Sequence, residues 1–87
     1  YSMFGEIDLI MEKDDVLFFV EVKYRSNTNY GTPREALNHK KIQHLERSIQ
    51  LYLKSYPVKN VKHRLAFLGI LKVREELQFD FIENIMA

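Results

Sequence analysis

The first quarter of the chain carries two segments with the residue pattern of β-strands. Residues 6–12 mix acidic and apolar side chains, and residues 16–23 are rich in β-branched and aromatic residues. Asp14 and Asp15 form a polar break between them, and aspartate is favoured in tight turns. The pattern therefore predicts a β-hairpin.

Beyond a polar loop at residues 24–32, the apolar residues take the three- and four-residue spacing of a helix. Thr32, Pro33 and Glu35 form a start signal, with a capping residue, a proline at the first helical position and an acid three residues after the cap. The apolar face comprises Ile42, Leu45, Ile49, Tyr52, Leu53 and Tyr56. Pro57 ends this pattern, so one helix is predicted from the Thr32 cap onward.

Two more strands are predicted near residues 64–73 and 77–82, with a charged turn between them. The order is β-β-α-β-β, which is typical of a mixed α/β domain whose helix covers a central sheet. A chain of 87 residues has room for one small domain, spanning residues 1–87. Among the apolar residues, we expect Met3, Phe4, Phe18, Phe67 and Phe79 to lie in the core.

The composition excludes several classes of protein. Hydrophobic residues at 46% and charged residues at 29% are ordinary for a globular domain, and a net charge of +1 does not indicate a histone-like binder of nucleic acid. The absence of cysteine excludes disulfides and thiolate metal sites, which fits the cytoplasm. The longest apolar run, Val16 to Val20, is far shorter than the roughly 20 residues of a membrane span, so no membrane partner is expected.

Acidic residues on the first hairpin are the main candidates for chemistry. With the turn at the polar break, Asp8 faces Glu21 and Glu6 faces Lys23, and strand alternation puts all four side chains on one face of the sheet. Directly opposed like charges are destabilising. A divalent cation would offset them, and oxygen ligands without cysteine favour Mg²⁺ or Mn²⁺. An alternative stays open, in which Glu6 pairs with Lys23 while Asp8 and Glu21 are simply solvated.

Two short motifs carry a resemblance to a known family. They are Gly-Glu-Ile-Asp-Leu-Ile at residues 5–10 and Phe-Val-Glu-Val-Lys-Tyr-Arg at residues 19–25, and the closing residues 82–84 agree as well. The sequence resembles the YraN family of small bacterial proteins, which are similar to the PD-(D/E)XK nucleases and especially to Holliday-junction resolvases. The resemblance implies a restriction-endonuclease-like fold.

The resemblance also implies roles for the acidic residues. Asp8, Glu21 and Lys23 would be the catalytic residues, with Asp8 and Glu21 as ligands of Mg²⁺ (or Mn²⁺) and Glu6 as an auxiliary acid. The sequence departs from the nuclease pattern at Ile7, where the motif has proline, and at residues 64–66, where Arg-Leu-Ala stands for the frequent Arg-Phe-Asp. Nucleases of this kind usually carry a further glutamate on a helix before the first strand, so we expect this chain to begin after that N-terminal helix.

Basic residues after the second strand form a candidate surface for the phosphate backbone of DNA. They are Arg25, Arg34, Lys40, Lys41, His44 and Arg47. On the predicted helix, Lys40, His44 and Arg47 share one face, with Lys41 at its edge. Such a stripe would bind nucleic acid without regard to sequence, and the alternative is an ordinary solvated helix face.

The functional expectation is a Mg²⁺-dependent endonuclease that acts on structured or branched DNA. Two alternatives remain, since function depends on the site rather than on the fold. One is a non-catalytic nucleic-acid-binding module that retains the nuclease fold, and the other is a scaffold protein with the same fold. Whether the domain forms a homodimer, as resolvase-like enzymes tend to, is left open by the sequence.

Overall fold

The computed structural model describes residues 7–86 as a four-stranded sheet and one α-helix. The elements are β1 (Leu9–Lys13), β2 (Val16–Arg25), α1 (His39–Lys54), β3 (Lys62–Val73) and β4 (Glu76–Ile82). A single 3₁₀ turn, Arg34–Ala36, lies before α1. No helix within residues 7–86 has the length and apolar character that crossing a membrane requires. The predicted β-β-α-β-β order is confirmed.

The strands lie in the order β1-β2-β3-β4, with one parallel pair at the centre. β1 is antiparallel to β2, β2 is parallel to β3, and β3 is antiparallel to β4. Parallel neighbours need a long crossover connection, and the segment containing α1 supplies it. The predicted mixed α/β class, with a helix over a central sheet, is therefore confirmed.

The hairpin of β1 and β2 turns at the two aspartates, as predicted. Asp14 and Asp15 both have positive φ angles, 53° and 64°, a conformation that aspartate tolerates and that two-residue hairpin turns require. Leu9 consequently pairs with Val20. The register expected from the sequence is confirmed.

The start of the helix was predicted wrongly. The Thr32 and Glu35 capping box does form, with the Thr32 N–H donating to Glu35 Oε1 at 2.8 Å and the Glu35 N–H donating to Thr32 Oγ1 at 3.4 Å. It closes only the 3₁₀ turn, because Leu37 then adopts an extended conformation. A second cap at Asn38, whose Oδ1 accepts from the Lys41 N–H at 2.8 Å, begins α1 at His39.

The hydrophobic core lies between α1 and one face of the sheet. Its fully buried members are Leu17 and Phe19 of β2, Leu65 of β3, and Leu45 and Ile49 of α1. Burying each of these side chains typically contributes about 1.5 to 3 kcal/mol. We call this side of the sheet the helix face.

The opposite side of the sheet, here called the outer face, is apolar; Val20 and Ala66 are buried at its centre, and large side chains of β4 are exposed at its edge. Phe79 is 63% exposed and Phe81 is 57% exposed. The prediction that Phe79 lies in the core is therefore wrong, because Asp80 pairs with Gly69 on the helix face and alternation turns Phe79 away from α1. Phe67 is buried as predicted. Phe18 is half-buried, and the expectations for Met3 and Phe4 fall outside the described residues.

Candidate functional site

Strand β2 carries two charged residues on the helix face, beyond the end of the core. Leu17 and Phe19 pack beneath α1, and by strand alternation Glu21 and Lys23 follow them in the same row. Within residues 7–86, Glu21 is the one charged residue that is buried, 7% exposed, and Lys23 is half-buried. The strand thus runs from apolar packing directly into a charged site.

Asp8 is held beside Glu21 by the backbone of β2. Its Oδ2 atom accepts a hydrogen bond from the Val22 N–H at 2.9 Å. Asp8 immediately precedes the Leu9–Val20 pair of the ladder, so the register continues to Glu21 on the opposite strand. The structure therefore brings together the two carboxylates that the sequence predicted to be neighbours. Glu6, predicted as an auxiliary acid, lies outside the described residues.

The surroundings of Glu21 change the pKa of its carboxyl group. Burial, followed by the hydrogen bond to the Asp8 carboxyl, raises the pKa of Glu21 to about 7, although the ammonium group of Lys41 acts in the opposite direction. Ionising both carboxyls at this position is therefore costly. A cation bound between them would remove much of that cost.

Lys41 of α1 reaches the same carboxylate from above the sheet. Its Nζ atom lies 3.2 Å from Glu21 Oε2, and its side chain is 29% exposed. Lys41 was expected at the edge of the basic stripe, and its contact with Glu21 was not predicted. One signal was present, because Lys41 is four residues before Leu45 and so borders the core-facing side of the helix.

The acidic pair has a donor set that suits Mg²⁺. Magnesium is commonly held by one or two carboxylates, with waters and substrate phosphates completing its octahedron, and Asp8 and Glu21 supply two. Structural zinc sites need four ligands that are mostly nitrogen or sulfur. Residues 7–86 contain no group of three or more His, Asp or Glu side chains placed to hold a metal ion. The described residues fit a weakly held magnesium or manganese ion that keeps open coordination positions.

The row of residues next to the acidic pair crosses the sheet from Lys23 to Asp80. Lys23 pairs with Gly69 of β3, and Gly69 pairs with Asp80 of β4. Asp80 binds Arg34 through a two-point contact, Nε to Oδ2 at 2.8 Å and Nη2 to Oδ1 at 2.5 Å. The Arg34 guanidinium lowers the pKa of Asp80. Arg34, a predicted nucleic-acid contact, is thus also bound to an acid that the sequence analysis did not link to it.

The remaining basic residues lie on two different surfaces. Lys40, His44 and Arg47 are all exposed on α1, which fits the predicted stripe. Glu46 lines the same open groove as Arg47, so this groove carries both a negative and a positive charge. Arg25 is half-buried in the sheet. Of these six residues, Lys41 contacts Glu21, and the contribution of all six to nucleic-acid binding stays a prediction.

Comparison with known proteins assigns the sequence to a family. The model of UPF0102, described as an uncharacterised protein family, matches residues 1–83. A UPF0102 protein of Syntrophomonas wolfei is 49% identical over 57 residues, which are 66% of this chain and 50% of that protein. A UPF0102 protein of Acetivibrio thermocellus is 40% identical over 83 residues, 95% of this chain and 62% of that protein.

A third relative is also longer than the segment that this chain matches. A UPF0102 protein of Carboxydothermus hydrogenoformans is 30% identical over 82 residues, 94% of this chain and 70% of that protein. The chain therefore spans between 50% and 70% of the length of these three relatives. No solved structure gives a significant match.

Proposed function

The chain belongs to the UPF0102 family, and on that premise we propose that its site binds Mg²⁺ or Mn²⁺ and hydrolyses phosphodiester bonds of structured or branched DNA. The observation that carries the proposal is the pairing of Asp8 with Glu21 beside Lys23. The Asp8 carboxylate is fixed by the Val22 N–H at 2.9 Å, and Glu21 is buried. Two ionised acids held this closely are costly, and a bound divalent cation would lower that cost.

Each residue of the proposed site has a distinct task. Asp8 and Glu21 hold the ion and fix its position relative to the sheet. When bound, Mg²⁺ neutralises charge on phosphate oxygens and makes a water molecule more acidic. Lys23, on the same face two residues beyond Glu21, orients the attacking water or stabilises the negative charge that develops on the phosphate. The place of Lys23 on the same face of β2 as Glu21 supports this role.

The proposal includes a restriction-endonuclease-like fold of the PD-(D/E)XK type. A parallel pair of strands joined by a helical crossover, with a hairpin carrying the acids, is consistent with that assignment. The acids lie where β2 leaves the apolar core, so the fold supplies a rigid support for the ligands. The DNA backbone would follow the basic side chains of α1, of which Lys40 and Arg47 are exposed.

A cleavage assay with a four-way DNA junction and a linear duplex tests the proposed function. We expect cleavage in Mg²⁺ or Mn²⁺ but not in EDTA, and a loss of at least about 100-fold in Asp8→Asn and Glu21→Gln. Glu12→Gln is the matched control, because Glu12 is an exposed acid four residues after Asp8 on the same face of the hairpin. Equal activity in all variants would exclude this site as the catalytic centre.

A second candidate function is binding of nucleic acid without cleavage. The ion pair between Lys41 and Glu21 favours it, since an internal cation already neutralises one of the two carboxylates. This function predicts junction binding that is unchanged by Mg²⁺ and by the Lys23→Met substitution. Cleavage that disappears in Lys23→Met would reject it.

A further inference from the structure

Lys41 is held at both ends, by the first turn of α1 at its backbone and by Glu21 at its ammonium group. Its backbone N–H donates to Asn38 Oδ1 at 2.8 Å, which fixes it in the first turn of α1. The adjacent Ile42 packs against the core. The Lys41 stem therefore leaves the helix on the side that borders the sheet, and its ammonium group lies 3.2 Å from Glu21 Oε2.

Lys40 provides the contrast within the same turn. It carries the same charge on the same stem, but it is exposed on the solvent side of α1, whereas Lys41 is half-buried. The position of Lys41 is thus a property of its place in the helix and does not follow from the basic composition of this segment.

The contact between Lys41 and Glu21 competes directly with a metal ion. The ammonium group and the metal ion would both bind the Glu21 carboxylate. Two positive charges next to one carboxylate repel each other strongly in a partly buried site. The ammonium group can yield this position by moving away from Glu21 Oε2, because the flexible lysine stem allows it to swing outward. The carboxylate can therefore exchange one cation for the other without a movement of the backbone.

We propose that Lys41 is the resident counter-ion of the Asp8–Glu21 pair, which leaves Glu21 when a divalent cation binds and then contacts a phosphate of the DNA strand. This inference rests on the proposed function and adds a residue that couples the binding of the metal ion to the binding of DNA. Without metal, the ammonium group of Lys41 stays at Glu21 Oε2. With metal, the released ammonium group lies at the boundary between the acidic pair and the basic side of α1, where it positions the backbone of the substrate.

Calorimetric titration with Mn²⁺ alone tests the first half of the proposal. We expect Lys41→Met to bind Mn²⁺ at least about tenfold more tightly than the original chain, since one neighbouring charge shifts such equilibria by one to three powers of ten. Lys40→Met removes the same charge from the exposed neighbour and should change the Kd less than about twofold. Lys41→Arg keeps the charge and should stay near the original affinity, and circular dichroism checks that all variants are folded.

The outcomes separate this inference from the proposed function. Mn²⁺ binding by the original chain with no gain in Lys41→Met would overturn the role of Lys41 and leave the metal site standing. No Mn²⁺ binding by either protein would overturn both. A gain shared equally by Lys40→Met would show a general charge effect and reject a specific role for Lys41.

Junction binding measured with and without Ca²⁺, which replaces Mg²⁺ so that turnover is suppressed, tests the second half. We expect Ca²⁺ to increase the affinity of the original chain for DNA. In Lys41→Met the increase should be about three- to tenfold smaller, because the released ammonium group is absent. The matched Lys40→Met variant should lose affinity equally with and without Ca²⁺. The same Ca²⁺ effect in Lys41→Met as in the original chain would contradict the phosphate contact.

Discussion

Pro33 packs directly on Gly69, so closely that a Cβ atom added to Gly69 would lie 2.9 Å from the Cβ of Pro33. This contact holds the 3₁₀ turn against the helix face of the sheet, next to the strand position of Lys23. It also sets Arg34 above Asp80, to which its guanidinium group is bound. The absence of a side chain at Gly69 is therefore what allows the loop to approach the candidate site.

Gly69→Ala is expected to destabilise the protein by about 1 to 3 kcal/mol, the usual cost of adding a methyl group to a closely packed contact. The rigid proline ring cannot rotate away, so the loop must shift. Pro33→Gly removes the nearest opposing atom and leaves the Phe67 ring at 3.0 Å, so the double variant should lose less stability than the sum of the two single changes. Urea unfolding of the four proteins measures this coupling, and strict additivity would show that the two residues do not oppose each other.

The stability of the metal-free protein should depend on the ionisation of Glu21. Its pKa is raised from 4.5 to about 7, so the folded state binds this proton more tightly than the unfolded state does. The resulting stabilisation is complete below about pH 4.5 and is lost as the pH rises to about 7. At 1.36 kcal/mol per unit, the loss amounts to about 3 kcal/mol.

Glu21→Gln removes this dependence, and its stability relative to the original chain should rise by up to about 3 kcal/mol between about pH 5 and about pH 8 in EDTA. The contact with Lys41 opposes the shift and is already included in the raised pKa, so its loss adds no separate dependence on pH. Glu12→Gln, at an exposed position, is the control. Parallel stability curves for Glu21→Gln and the original chain would contradict the raised pKa.

The two caps before α1 should differ in their contribution to stability. Asn38 caps a helix of 16 residues, so Asn38→Ala should cost about 1 kcal/mol. Thr32→Ala removes a cap that closes only one exposed 3₁₀ turn and should cost about 0.5 kcal/mol or less. Chemical unfolding of both variants distinguishes them, and an equal loss would mean that the turn and α1 form one cooperative helical unit.

The two faces of the sheet should respond differently to the same substitution. Phe67→Leu changes a fully buried side chain on the helix face and should cost about 1 to 2 kcal/mol. Phe79→Leu changes a side chain that is 63% exposed on the outer face and should cost less than about 1 kcal/mol. Thermal unfolding followed by circular dichroism measures both, and a larger loss at Phe79 would show that the outer face is covered in solution.

Local signals in the sequence were enough to predict the hairpin and its acidic pair. The turn at Asp14 and Asp15 fixes the register by itself, so Asp8 and Glu21 follow without knowledge of the remaining fold. The helix start was ambiguous because the segment contains two caps, and local chemistry does not reveal that Leu37 leaves the helical conformation between them.

Contacts between distant parts of the chain could not be predicted in the same way. Lys41 meets Glu21 only because the crossover lays the first turn of α1 over β2. The orientation of Phe79 depends on the pairing of Asp80 with Gly69, and a register shifted by one residue would have turned it toward α1. Both features are set by strand order and register, which the alternation within a single strand does not reveal.

Lys23 should be required for cleavage but not for metal binding. It lies on the helix face two residues beyond Glu21 and opposite Gly69, and under the proposed function its ammonium group would act on water or phosphate rather than hold the ion. Lys23→Met should reduce the cleavage rate by at least about 100-fold and change the Mn²⁺ Kd by less than about threefold. Lys13→Met, at the exposed end of the same hairpin, removes an equal charge and should leave both quantities nearly unchanged. A parallel loss of metal affinity and activity in Lys23→Met would instead make Lys23 part of the support for the acidic pair.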